Sequence, residues 1–201
     1  MKPQVVVFDL GKVLLDFDYS KVAGRMLQFC SLPRDEIIKA VNQSPLLHRY
    51  ETGLLTTQQF FDEVRNVSKF TGEFAHFEPI FADIFTPILE MIDLHTRLRK
   101  RDIPTYIFSN TNEMAVRHIR ATYPFFENFT GYVFSYQHRA MKPEPAIYEV
   151  VERITGRGGK EILYIDDRQE NVEQGNARGW TSILHQAPKE TIKQIQLLGL
   201  L

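Results

Sequence analysis

Asp9 directly follows an apolar run at residues 5–8, and Asp166 and Asp167 directly follow a second such run at 162–165. One acidic residue after a buried strand is an ordinary turn or cap residue. Repetition after two strands changes its meaning. Carboxylates gathered at one edge of a sheet repel each other unless a cation sits between them, and hard oxygen donors of this kind favour magnesium. Ser109 ends a third apolar run, 105–108, and offers a hydroxyl with backbone amides just beyond it. Lys142 follows a fourth run, 132–134, within Met141-Lys142-Pro143-Glu144-Pro145, where the prolines stiffen the loop that carries the ammonium. A carboxylate nucleophile, a cation site, a hydroxyl donor and an ammonium are what phosphoryl transfer requires: positioning, and neutralisation of charge on oxygen.

These residues need a scaffold that brings strand ends together. The four runs are continuously apolar without alternation, which suits strands of a parallel sheet covered on both faces. A fifth strand is predicted near 181–184. Between them lie helical patterns at 87–101, 112–123 and 143–155, the last with Ile147, Val150, Val151 and Ile154 on one stripe. The alternation predicts an α/β fold, a doubly wound, Rossmann-like parallel sheet whose ligands bind at the carboxyl ends of the strands. Residues 17–86 differ. They show no convincing strand but have helix-period segments at 19–30, 34–41, 57–70 and 74–85, with Thr56 or Thr57 as a cap for the third. They read as a helical cap (17–86) inserted into a core made of 1–16 and 87–201. The phenylalanines at 60, 61, 70, 74, 77, 81 and 85 read as the core of that small bundle, with one or two at the mouth of the site.

Composition narrows the function classes. The chain has 201 residues, 43% of them hydrophobic, and a formal net charge of −1, so no general attraction to nucleic acid or to an anionic membrane is expected. Arg97–Arg101 reads as a solvated helix end complementing its dipole. The single cysteine, Cys30, excludes an internal disulfide and reads as a small core residue in a helical stretch. No stretch approaches the roughly 20 apolar residues that span a bilayer. A cytoplasmic protein, monomer or homodimer, acting on a small molecule is the expectation. The six histidines show no zinc-like spacing, and residues 156–160 read as a turn and not as a phosphate loop.

The order and spacing of the four groups resemble the haloacid dehalogenase (HAD) superfamily over nearly the whole chain. "VVVFDLGKVLLDFD" resembles its first motif, "IFSNT" its second, "MKPEPAIYEVV" its third and "LYIDDRQENV" its fourth. The insertion is similar to the helical C1 cap of the subgroup that includes phosphoglycolate phosphatase, and "HRYETGLLTTQQFF" resembles a segment recurring in those caps. The resemblance implies a magnesium-dependent phosphatase acting on a small phosphate ester. Asp9 would attack phosphorus and form an aspartyl-phosphate that water then hydrolyses. Asp9, the Gly11 carbonyl, Asp166 and Asp167, directly or through water, would hold the metal. Ser109, the Asn110 amide, Lys142 and the Gly11 main chain would hold the phosphate, and Asn171 would orient the loop.

One position departs from the pattern. Most phosphatases of the superfamily carry an aspartate two residues after the nucleophile as general acid and base, and here that residue is Gly11. Water, Asp16 or Asp18 could substitute, the two aspartates otherwise being turn and cap residues. A substrate with an easily departing alcohol, such as a sugar 1-phosphate, would need the acid less, and the "DLG" motif is similar to that of phosphatases acting on glucose 1-phosphate. A dehalogenase-type hydrolase, and a weakly catalytic binding or regulatory protein on this scaffold, remain as alternatives. His48 is a candidate substrate contact in the cap.

Overall fold

Five parallel strands form the central sheet: β1 (Val5–Phe8), β4 (Thr105–Ser109), β5 (Gly131–Phe134), β6 (Ile162–Asp166) and β7 (Thr181–Leu184). Their spatial order is β5-β4-β1-β6-β7. Two further strands, β2 (Leu15–Phe17) and β3 (Phe85–Pro87), pair antiparallel outside it. The computed structural model describes residues 2–41 and 44–201. Met1, within the expected core, and Asn42 and Gln43, within the expected cap, lie outside the described residues.

Valine, isoleucine and phenylalanine dominate β1, β4 and β6. These three strands are buried along their whole length, the environment for which continuous apolar runs are suited. Helices α6 (Leu89–Arg99), α7 (Glu113–Thr122), α8 (Ser135–His138), α9 (Pro145–Thr155), α10 (Gln169–Ala177) and α11 (Pro188–Leu197) alternate with the strands. One core cluster, including Phe8, Leu94, Ile107, Ile119 and Ile165, lies on one face. A second, including Val7, Phe108, Tyr148, Tyr164 and Trp180, lies on the other. Asn112 caps α7 by accepting from the Ala115 amide, and Gly156 ends α9 in the left-handed conformation. Residues 156–160 thus form the turn the sequence suggests.

Among the described residues, five helices occupy the segment between β2 and β3: α1 (Ser20–Met26), α2 (Arg34–Val41), α3 (Pro45–Glu51), α4 (Thr57–Ser68) and α5 (Phe74–Ala82). They enclose a third core in which Phe60, Phe61, Phe70, Phe77 and Phe81 are buried and Phe74 and Phe85 partly so. The aromatic residues therefore act as bundle core. Thr56, and not Thr57, caps α4, with Gln59 completing the capping box.

Three details depart from the sequence reading. Helix α1 ends at Met26, so Cys30 lies beyond it, half-buried, its thiol pushed up by burial. Helix α3 has only seven residues, too short for a clear period; its signature is Ser44 accepting from the Leu47 amide, with Pro45 at the first turn. Strands β2 and β3 have three residues each, and the predicted boundaries at 16/17 and 86/87 cut through both. No helix among the described residues is long and apolar enough to cross a membrane.

Candidate active site

Register places the carboxylates. Phe8 pairs with Ile165, so the next residues, Asp9 and Asp166, emerge side by side at the carboxyl ends of adjacent strands. The Asp9 amide donates to the Ile165 carbonyl at 2.8 Å, which locks this alignment. On the other side of β1, Phe8 pairs with Ile107, and Ser109 follows two residues later. Ligand oxygens of Asp9, Asp166 and Asp167 lie within 4.8 Å of one another.

Lys142 reaches into this cluster from the loop after α8. Its ammonium donates to Asp166 Oδ2 at 2.6 Å and to the Phe108 carbonyl at 2.9 Å, and lies 2.9 Å from Asp9 Oδ1. The Lys142–Pro143 peptide bond is cis. Asn110 fixes the loop through both ends of its side-chain amide: Nδ2 donates to the Lys142 carbonyl at 2.9 Å, and Oδ1 accepts from the Lys142 amide at 2.8 Å.

Asp166 is fully buried and saturated with donors. Its Oδ1 accepts from the Arg168 amide at 2.8 Å and Asn171 Nδ2 at 3.0 Å, while Oδ2 also accepts from the Tyr164 hydroxyl. Burial alone would raise its proton affinity, but Lys142 and these hydrogen bonds hold the carboxyl below its ordinary range. Asp9 is 7% exposed and makes fewer bonds, accepting from the Leu10 amide at 2.7 Å. Burial pushes it up, against the pull of Lys142 and with added repulsion from Asp166. Burial and then Asp166 push Asp167 in the same direction. Burial would lower Lys142, yet Asp166 and Asp9 outweigh it and keep the ammonium protonated. Three carboxylates face one ammonium, an electrostatic deficit that a divalent cation would balance.

These groups open on a cleft of about 410 Å³, a size suited to one small molecule. Asp9, Gly11, Ser109, Asn110, Lys142, Asp167 and Asn171 line it, and of the residues that the four motifs supply only Asp166 does not, being buried beneath it. Its far wall comes from the helical segment: Tyr19, Leu47, His48 and Glu51. Asp16 and Asp18 line neither this cleft nor the smaller one beside it. Asp16 pairs with Lys12 and Asp18 accepts from the Ser20 amide at 2.8 Å, the turn and cap roles. A Cβ on Gly11 would stand 2.8 Å from Phe17 Cε1, so an aromatic ring fills the space beside that position.

Sequence reasoning missed Tyr164, although its place two residues before Asp166 on β6 puts both on one face of the strand. It also missed the Asn110 clamp, which depends on a contact across 32 residues.

Known proteins share this arrangement of elements. The chain is 23% identical over 184 residues to a D-ribitol-5-phosphate phosphatase of Bacteroides thetaiotaomicron, covering 87% of this chain and 88% of the relative. A HAD family enzyme from the same organism, solved in complex with magnesium and inorganic phosphate, superposes with a TM-score of 0.78 at 22% identity, over 92% of this chain and 95% of that one. An L-2-haloacid dehalogenase from Xanthobacter autotrophicus superposes less closely, with a TM-score of 0.62 at 18% identity, over 98% of this chain and 83% of that one. The fold is thus common to enzymes of two chemistries. The model of the haloacid dehalogenase-like hydrolases matches residues 3–177, and the chain belongs to that family.

Proposed function

We propose that the protein is a magnesium-dependent phosphatase that hydrolyses a small phosphate monoester, a sugar or polyol phosphate, through an aspartyl-phosphate at Asp9. The observation that carries this reading is the cluster of Asp9, Asp166 and Asp167 around a single ammonium. Its oxygen-only donor set and uncompensated negative charge fit magnesium, held by Asp9, Asp166, Asp167 and the Gly11 carbonyl. When bound, the ion would neutralise charge on the phosphoryl oxygens and on the nucleophile. Asp9 attacks phosphorus, Lys142 screens the charge between Asp9 and the phosphate, and Ser109 with the Asn110 amide holds the oxygens. Asn171 and Tyr164 hold the Asp166 carboxylate in place, and residues 17–86 act as a cap that selects the substrate above the core.

The ribitol-phosphate phosphatase relative supports a polyol or sugar phosphate, and the cleft volume supports a small one. A dehalogenase-type ester needs no metal and gives no reason for three convergent carboxylates. The test is phosphate release from a panel of sugar and polyol phosphates, including glucose 1-phosphate and ribitol 5-phosphate. Activity is expected with magnesium and should vanish with a chelator. Asp9→Asn should lower kcat by roughly 10³-fold or more, as loss of a covalent nucleophile does. Halide release from a chloroacid that survives the chelator would overturn the reading.

A further inference from the structure

Gly11 leaves no carboxyl two residues after the nucleophile, and Phe17 occupies the space a side chain there would enter. The ring is held in place, packing edge-on against Tyr19 at 5.8 Å and Phe85 at 6.4 Å. Across that space lies Glu51, the last residue of α3. It lines the main cleft together with Asp9, and also the adjoining space of about 60 Å³ together with Gly11, Phe17 and Ser109. Its carboxyl has neither an ion-pair nor a hydrogen-bond partner among the described residues.

The main chain around Glu51 is anchored on the core. The Glu51 carbonyl accepts from Ser135 Oγ at 2.6 Å, and Ser135 Oγ in turn accepts from the Thr111 amide at 2.9 Å. Thr52 Oγ1 meets Met141 Sδ at 3.0 Å. Gly53 lies so close to the Tyr136 carbonyl that a Cβ there would stand 2.0 Å from its oxygen. These contacts tie Glu51 to the segment 135–142, which also delivers Lys142 to Asp9. The position of the carboxyl over the cleft is therefore set by the same loop as the catalytic ammonium.

We propose that Glu51 is the general acid and base of the reaction at Asp9, supplying from the helical segment the proton exchange that Gly11 cannot. The assignment rests on the phosphatase reading. In the first step an Asp9 oxygen bonds to phosphorus, the bond from phosphorus to the alcohol oxygen breaks, and the Glu51 proton passes to that oxygen. In the second, the Glu51 carboxylate takes a proton from water as the water oxygen bonds to phosphorus and the bond to Asp9 breaks. Glu51 ends protonated, and the sum is ester plus water giving alcohol plus phosphate.

The surroundings of Glu51 suit the first step. Burial pushes its carboxyl to about 8, so it carries a proton at neutral pH. Tyr19 faces it from the stem after β2, and burial with the Glu51 charge pushes that hydroxyl well above its ordinary range. Lys12 lies on the same side, bound to Asp16, and His48 stands one turn earlier on α3. Across the cleft are Asp9, Lys142, Asp167 and Arg168, the last paired with Glu170. Of these, Tyr19 also lines both spaces but carries no carboxyl, and the remainder do not reach both.

The test compares Glu51→Gln and Glu51→Asp with wild type on ribitol 5-phosphate and on 4-nitrophenyl phosphate, whose leaving group departs without a proton. For Glu51→Gln, kcat on the polyol ester should fall roughly 10²–10⁴-fold with little change in KM. The pre-steady-state burst of nitrophenolate should be retained, and the alkaline limb of the wild-type pH profile should disappear. Glu51→Asp, which keeps the carboxyl but withdraws it, should slow the polyol ester selectively and serves if the glutamine variant does not fold. Equal slowing of the first step for both esters, read as the pre-steady-state release of polyol and of nitrophenolate, or slowing of neither, while wild type remains active, would overturn the role of Glu51 and leave Asp9 standing. A wild-type protein inert on both esters with magnesium would overturn the phosphatase reading itself.

Discussion

At the scale of single residues, the site depends on a buried lysine shared between two carboxylates. Such an arrangement persists only when every partner is held in geometry, because an unpaired buried charge costs several kcal/mol. Asn110 is the holder. Its amide spends both of its ends on the main chain of Lys142, a role different from the backbone donation that the motif implies. Asn110→Ala would leave the Lys142 amide and carbonyl unsatisfied in a part-buried loop. About 1–3 kcal/mol of stability should be lost, visible as a lowered denaturant midpoint, with a parallel fall in kcat as Lys142 loses its aim. An unchanged midpoint and kcat would show that the prolines alone hold the loop. Phe17 adds a second lesson at this scale: the missing acid at Gly11 is not an empty place, since an aromatic ring has taken the volume.

At the scale of elements, the contact between α3 and the core decides how the two parts work together. Gly53, with φ of +70° and the Tyr136 carbonyl against it, admits no side chain. Gly53→Ala combines backbone strain with a steric clash and should cost about 2 kcal/mol or more, loosening Glu51 from its anchor and lowering activity with it. Gly24→Ala on the exposed face of α1, where nothing lies within 4 Å, is the control and should stabilise by about 0.5–1 kcal/mol. Thermal unfolding of both variants checks the pair. The same contrast explains what the sequence made legible. Strands β1, β4 and β6 and helices α6, α7 and α9 were readable because burial on both faces demands continuous apolar runs and one-sided stripes, whereas the short α8 and the weakly apolar α10 were not read. Asp9, Ser109 and Asp166 were readable because strand ends converge, and Lys142 because prolines mark the loop that carries it. Helix α3, strands β2 and β3, and the seating of Glu51 were not. Each is too short to show a period, and each is fixed by contacts with residues more than 60 positions away, such as Leu15 with Pro87 and Glu51 with Ser135.

At the scale of the molecule, two parts with separate cores must remain folded around one cleft, and one buried group makes that stability depend on pH. His95 lies under β4, stacked on Phe129 at 3.8 Å with Nε2 3.0 Å from Thr105 Oγ1. Burial, and secondarily Arg99, lower it from 6.5 to about 4. The unfolded chain therefore binds a proton that the native protein refuses between those values. The stability is fully present above about pH 6.5 and is lost as pH falls toward 4, a loss of about 2 kcal/mol between pH 7 and pH 5. Glu51, pushed up to about 8, contributes in the opposite direction over the same range, so the His95 contribution is read as a difference: on going from pH 7 to pH 5, urea unfolding should show His95→Phe gaining about 2 kcal/mol relative to wild type, and an equal pH dependence in the two would assign the effect elsewhere. At the other end of the sheet, the proposed mechanism bonds an Asp9 carboxylate oxygen directly to phosphorus. Beryllofluoride mimics an aspartyl-phosphate, so a structure with magnesium and beryllofluoride reports that bond directly. Beryllium bonded to a carboxylate oxygen of Asp9, with the ion on Asp9 and Asp166 and Lys142 against the fluorides, is the predicted result. A protein that binds magnesium and turns over phosphate esters but forms no adduct at Asp9 would contradict it.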